Sequence, residues 1–134
     1  MAANTNPIFI LTPNSPVVAM AAANTARDGS GTLVTLFTAG VNGSRVEAIT
    51  FTSAQATAAL NSAMVGRVFL TDNAGANPRL IGEITIPAAT PSTTVIGTTV
   101  TFYPIGGAKN IVSGQIIKVT QSVYAGVQDQ MHVS

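Results

Sequence analysis

The chain has 134 residues, which is the usual size of one domain, and it contains no cysteine. Disulfides, thiolate nucleophiles, zinc-thiolate sites and iron-sulfur clusters are therefore excluded. Asp, Glu, Lys and Arg make up only 8% of the residues, against about 25% in an average protein, and the net charge is +1. A chain with so little charge has no basic surface for phosphate backbones, so we expect no nucleic-acid partner.

Membrane and export signals are also weak. Apolar runs such as residues 16–23 are far shorter than the roughly 18 to 20 residues of a spanning helix, so we expect no membrane partner. No Lys or Arg precedes Arg27, and prolines interrupt the apolar region where a signal peptide would need a continuous core. We therefore expect an unprocessed protein that is made inside the cell.

The first fifteen residues differ in composition from the rest. A continuous apolar run lies between Pro7 and Pro13. It is either an ordinary first strand or an arm that pairs with another subunit, since prolines keep a segment extended and separate from the first hairpin. We predict an extended arm over residues 1–15 and one domain over residues 16–134. The candidate partner-binding residues of the arm are Ile8, Phe9, Ile10 and Leu11.

Beyond the arm, apolar and polar residues alternate with a period of 2, and the segments that do so are rich in Thr, Val and Ile. This pattern is typical of strands with one face in water. In residues 80–86, Leu80, Ile84 and Ile86 share one face, and Gly82 interrupts it as a bulge would. The pattern predicts an all-β domain with one interior, either a sandwich or a barrel. Of the two we expect a single antiparallel, jelly-roll-like β-sandwich. The eight predicted strands cover residues 16–22, 32–38, 44–52, 64–71, 80–86, 95–102, 115–124 and 127–133.

Turn signals separate these strands. Asn42-Gly43 between two apolar runs is the strongest hairpin signal in the chain, because both residues tolerate positive φ. Residues 53–63 are the exception to the strand pattern. Their alanines are compatible with a short helix, and their Thr and Asn residues with a polar loop.

Candidate catalytic residues are few. His132 is the only histidine, and Asp129, three residues earlier, would lie on the opposite face of a strand. The remaining acids that could form a hydrolytic pair, Glu47, Asp72 and Glu83, are widely separated. We therefore expect no enzymatic activity, no cofactor and no metal site.

Four segments resemble known proteins: residues 4–13 (NTNPIFILTP), 23–32 (ANTARDGSGT), 36–46 (LFTAGVNGSRV) and 110–119 (NIVSGQIIKV). The first three resemble small structural proteins encoded by tailed bacteriophages. The fourth resembles the strand before the last hairpin of β-sandwich virion proteins. The resemblance implies a non-enzymatic virion protein, in the first place a head decoration (cement) protein that contacts the major capsid protein or another virion protein.

Low charge is compatible with this function, because copies packed at high density repel one another little. Closed homo-oligomers, with a trimer favoured for a cement protein, would bury excess apolar surface. The alternative is a tail or fibre component that acts as a receptor-binding or carbohydrate-binding module, since a fold does not fix a function.

Overall fold

The computed structural model describes residues 15–55 and 60–134. In that part of the chain ten strands form, and every strand ladder is antiparallel. Short 3-10 turns cover Asn73–Gly75 and Val127–Asp129. The strands are β1 (Val18–Met20), β2 (Val34–Thr38), β3 (Ser44–Val46), β4 (Ile49–Ser53), β5 (Met64–Leu70), β6 (Arg79–Ile86), β7 (Thr99–Phe102), β8 (Lys109–Ile111), β9 (Ile116–Gln121) and β10 (Met131–Val133).

Eight of these strands form a sandwich. One sheet has the order β1-β10-β4-β7 and the other the order β2-β9-β5-β6, while β3 and β8 pair separately. Apart from the β5–β6 hairpin, which stays within one sheet, the chain crosses from one four-stranded sheet to the other between successive sandwich strands, which is the double Greek-key order of a jelly roll. The prediction of an all-β, jelly-roll-like sandwich is confirmed, with β3 and β8 as an additional pair that raises the strand number to ten.

Aromatic rings fill the space between the sheets. Phe51 of β4 is completely buried and Phe102 of β7 is nearly so. A Cβ atom at Gly66 would lie 2.8 Å from the Phe51 ring. One at Gly82 would overlap the Phe102 ring. Both glycines belong to the opposite sheet, so the missing side chains leave room for rings from the facing strands.

A bulge next to Gly82 changes one predicted face. Val68 of β5 pairs with Gly82, but the next residue, Phe69, pairs with Leu80, so Ile81 is the extra residue. Ile81 and Ile84 pack against the core, and Leu80 is not among the core residues. The predicted bulge is present, and the assignment of Leu80 to the inner face is wrong because the bulge shifts the alternation.

Other differences from the predicted elements are local. The predicted strand 44–52 divides into β3 and β4, and the predicted strand 95–102 begins only at Thr99. Asn42-Gly43 does form a turn, with the Gly43 N–H donating to the Gly40 carbonyl at 2.9 Å and Gly43 at φ +77°. The turn is not a hairpin, since β2 pairs with β9 and β3 pairs with β8.

Two predicted segments lie wholly or partly outside the residues that the structure describes. The arm residues Ile8, Phe9, Ile10 and Leu11 lie outside the described residues. So do residues 56–59, in the middle of the segment for which a helix and a loop were both considered. Residues 54, 55 and 60 beside them are irregular, and Asn61 forms an isolated antiparallel bridge with Ala89.

Candidate interaction surfaces

Strand register places the connections at two ends of the sandwich. Four connections lie at one end, which we call the loop end. They are residues 21–33, 87–98 and 122–130 and, between β4 and β5, the described residues 54–55 and 60–63. Residues 39–43, 47–48, 71–78, 103–108 and 112–115 lie at the opposite end, which we call the turn end. The two ends differ in charge, in burial and in the way their backbone groups are satisfied.

Asp129 holds the loop end together. Its side chain is completely buried, and its two carboxylate oxygens accept the N–H of Ser62 at 2.7 Å and the N–H of Ala125 at 2.8 Å. Burial alone would raise the pKa of Asp129, but these backbone donors, together with the Ser62 side chain, hold it below its usual value. The buried carboxylate therefore acts as a charged link between two loops.

Two buried amides extend this link. The Gln121 amide donates to the carbonyls of Val123 at 2.7 Å and Asp129 at 2.8 Å. The Asn61 amide donates to the Pro87 carbonyl at 3.2 Å, and its side-chain oxygen accepts the Ala89 N–H at 3.2 Å. Three loops from both sheets are thus joined by side chain to backbone hydrogen bonds, which fix their relative positions.

The outer surface of three of these loops is apolar and uncharged. Residues 54–63, 87–98 and 122–130 contain a single charged residue, the buried Asp129. Large apolar side chains are nevertheless exposed on them. These are Leu60, Val95, Ile96 (88% exposed) and Val127. An apolar set of this kind on ordered loops is typical of a surface that contacts another protein.

The tip that carries Val95 is ordered by one hydroxyl. The Ser92 hydroxyl accepts the N–H groups of Thr94 at 3.2 Å and Val95 at 3.1 Å, and the Ser92 N–H donates to the Val95 carbonyl at 2.8 Å. The Thr98 hydroxyl then donates to the Pro87 carbonyl at 2.9 Å and closes the loop. The exposed side chains are therefore presented by an organised turn, which lowers the ordering cost of binding.

A groove lies at the flank of the turn end, between edge strand β2 and residues 15–17, which lead into edge strand β1. Its volume is about 640 Å³. We call it the β1–β2 groove. Most of its lining is apolar, and the exposed Arg45–Glu47 ion pair, 2.6 Å between Nε and Oε1, is the charged part of that lining. The lining includes Val17, Leu36, Phe37, Val46, Ile49 and Ile117, together with Ser15 and Pro16, the first described residues.

A cluster of three charged side chains, Arg27, Arg67 and Glu83, lies on the outer face of the β2-β9-β5-β6 sheet. Glu83 accepts two hydrogen bonds from Arg27, at 3.0 and 2.9 Å, and one from the buried Arg67 at 2.7 Å. Hydrogen bonds from Arg27 and then Arg67 hold the pKa of Glu83 below its usual value. The Arg67 guanidinium also donates to the Asn24 carbonyl at 3.3 Å. This cluster fastens the connection 21–33 to the sheet.

The candidate catalytic residues differ in burial and in the groups that they contact. His132 is exposed on β10, whereas Asp129 is buried with both oxygens bonded to backbone N–H groups. Glu47 pairs with Arg45, and Asp72 accepts a hydrogen bond from Asn77 at 2.9 Å. Among the residues that the structure describes, no cluster of His, Cys, Asp and Glu could hold a metal ion. The same residues include no helix long and apolar enough to cross a membrane.

The sequence patterns predicted an N-terminal arm, which lies outside the described residues, but they predicted neither the loop-end surface nor the β1–β2 groove. Val95 and Ile96 were assigned to a strand, although both lie in a loop. The signal against that strand was Gly97, where a Cβ atom would overlap the Ser53 hydroxyl. Glycine at that position permits a close approach of two chain segments, which is typical of a loop that packs on its neighbour.

Comparisons with known proteins returned no relatives. No family model matches the chain, and neither a curated protein nor a solved structure matches it. The surfaces themselves are therefore the basis of a functional assignment.

Proposed function

We propose that this protein is a non-enzymatic structural component of a bacteriophage virion, a head decoration protein that binds the shell through its loop end. The observation that carries the proposal is the uncharged outer surface of three loops at that end, with Leu60, Val95, Ile96 and Val127 exposed above buried Asp129. An apolar, preorganised surface of this kind buries at low desolvation cost against another protein.

The fold supports the same proposal without deciding it. Jelly rolls occur in viral capsid proteins and also in lectins, so the strand order is compatible with a decoration protein and with a carbohydrate-binding module. The chemistry of the loop end favours protein contact. Sugar sites combine aromatic platforms with polar groups, whereas the exposed large side chains of the loop end are aliphatic.

Location in the particle tests the proposal first. Purified particles of a phage that encodes the chain are labelled with gold-conjugated antibody against it and imaged. We expect label on the head. Label on the tail or fibres alone would favour the receptor-binding or carbohydrate-binding alternative, and particles without label would contradict a structural function.

A pair of matched variants tests the surface. The double substitution Val95→Asp and Ile96→Asp should weaken binding to particles that lack the protein by at least tenfold, because two carboxylates would be desolvated on docking. Val41→Asp at the turn end is the control, since Val41 is 85% exposed and lies away from the loop end. Equal binding by both variants would show that the loop end is not the docking surface.

A further inference from the structure

We propose that the β1–β2 groove receives the apolar segment at residues 8–11 of a second copy of this chain. The groove lies at the flank where residues 1–14 join the domain, because Ser15, Pro16 and Val17 belong to its lining. The chain thus carries, a few residues before its own apolar groove, an uninterrupted apolar run of four residues.

The size and character of the groove fit such a segment. Its 640 Å³ lies within the roughly 300 to 1,000 Å³ of small-ligand sites, which is more than one side chain needs. In an extended segment alternate side chains point the same way, so Phe9 and Leu11, or Ile8 and Ile10, would enter together. Leu36, Ile49 and Ile117 provide a buried apolar floor to receive them.

The backbone at the groove also fits an extended partner. Strands β1 and β2 are the edges of their sheets on this flank. Among the residues that the structure describes, each pairs with a strand on one side only, β1 with β10 and β2 with β9. The unpaired edge of β2, which contributes Leu36 and Phe37 to the groove lining, is where a strand would be added, the usual mode by which a sheet edge binds an extended segment.

The position of the groove limits how two copies meet. Ser15 is four residues after Leu11, so their Cα atoms are at most about 14 Å apart. An accepting groove must therefore lie within that distance of the donor's Ser15, which itself lines a groove. Two or more copies would meet groove to groove around a rotation axis, and each would donate one segment and accept another, as closed symmetry requires.

The choice of a second copy over the same chain rests on the proposed function, because a shell component acts as many copies. It also follows from the prolines. Thr12 and Ser15 each precede a proline, which disfavours helical backbone and favours an extended segment. Binding by the same chain is the competing arrangement that the experiment must separate.

Cysteine cross-linking separates the two arrangements, since the natural chain has no cysteine. One full-length chain carries Ile10→Cys, and a second, with a larger tag, carries Val46→Cys in the groove lining. The two are coexpressed, purified and oxidised without any particle present. We expect a disulfide-linked heterodimer at least tenfold more abundant than with Val41→Cys, an exposed valine outside the groove lining.

Other outcomes would overturn the inference. A heterodimer no more abundant than the Val41→Cys control would do so. So would a single chain with both Ile10→Cys and Val46→Cys that forms its disulfide within a monomer. As a second measurement, Val17→Asp at the groove should shift the full-length protein from oligomer to monomer in sedimentation, and an unchanged mass would contradict exchange. None of these uses particles, so a failure of the proposed shell binding is recorded separately.

Discussion

The two ends of the sandwich are built from the same eight strands but are closed in different ways. At the loop end, buried side chains such as Asp129 and Asn61 bond to the backbone of neighbouring loops, and the outer surface of those loops is apolar. At the turn end, tight turns with positive φ, as at Gly43, connect the strands, and exposed ion pairs such as Arg45–Glu47 lie on the surface. Several buried polar side chains thus order the loops at the loop end. At the turn end, positive-φ turns act together with one buried hydroxyl, that of Thr71, which accepts the Ile116 N–H at 3.0 Å and donates to the Asp72 carbonyl at 2.8 Å.

Among the residues that the structure describes, each end exposes four large apolar side chains: Leu60, Val95, Ile96 and Val127 at the loop end, and Val41, Tyr103, Ile105 and Val112 at the turn end. The ends differ in the charge around these side chains. Three connections of the loop end contain only the buried Asp129 as a charged residue, whereas Arg45 and Glu47 are exposed at the turn end. The loop end therefore presents apolar side chains without neighbouring charges to desolvate, which favours it as the contact surface.

The largest expected effect is at Asp129. Asp129→Ala leaves the N–H groups of Ser62 and Ala125 without their acceptor in a buried site, so we expect a loss of about 2 to 4 kcal/mol in the free energy of unfolding. Urea unfolding measures it. Asp72→Ala at the turn end is the control, because Asp72 is partly exposed and its loss should change little. Similar losses in both variants would remove the distinction between the ends.

Backbone strain introduced at the turn end should lower the free energy of unfolding. Gly43→Ala places a Cβ at φ +77° and 2.8 Å from the Ile111 carbonyl oxygen, so we expect a loss of about 1 to 2 kcal/mol. Gly40 in the same turn has open space where a Cβ would lie, with no atom within 4 Å, and no positive φ, so Gly40→Ala is the matched control. Thermal unfolding that ranks the two variants equally would contradict this account.

Acidic pH should lower the free energy of unfolding through Asp129 at the loop end. The folded-state pKa of Asp129 lies below its unfolded value of about 4, so its contribution is complete above that pH and is lost as the pH falls through the folded value. The same sign holds for Glu83, which Arg27 and Arg67 stabilise. Unfolding measured from pH 6 to pH 2 should show stability falling below about pH 4. Asp129→Asn should flatten part of that slope, and an unchanged slope would show that the carboxylate does not link folding to pH.

The smallest effect is expected at the Arg45–Glu47 pair. Both side chains are more than half exposed, and such pairs contribute about 0 to 1 kcal/mol. Arg45→Ala should therefore change the free energy of unfolding by less than about 0.5 kcal/mol. A loss as large as that of Asp129→Ala would show that the turn end also depends on side-chain contacts.

Sequence periodicity was sufficient for the class of fold and for most strands, because a period of 2 reports directly which side chains face the core. It failed where one residue shifts the register, as at Ile81, and where an apolar residue lies in a loop, as at Ile96. The β3-β8 pair and the β1–β2 groove form only when distant segments meet. Local patterns do not encode such contacts, so neither could be predicted.

The central claim is that folding and assembly are carried by different parts of the chain. Deletion of residues 1–13 tests it most directly, with circular dichroism, thermal melting and sedimentation on the same sample. We predict a β-sheet spectrum and a cooperative melt together with loss of self-association. A truncated protein without β-sheet signal or cooperative melting would show that the segment is a strand of its own domain, and would contradict the claim.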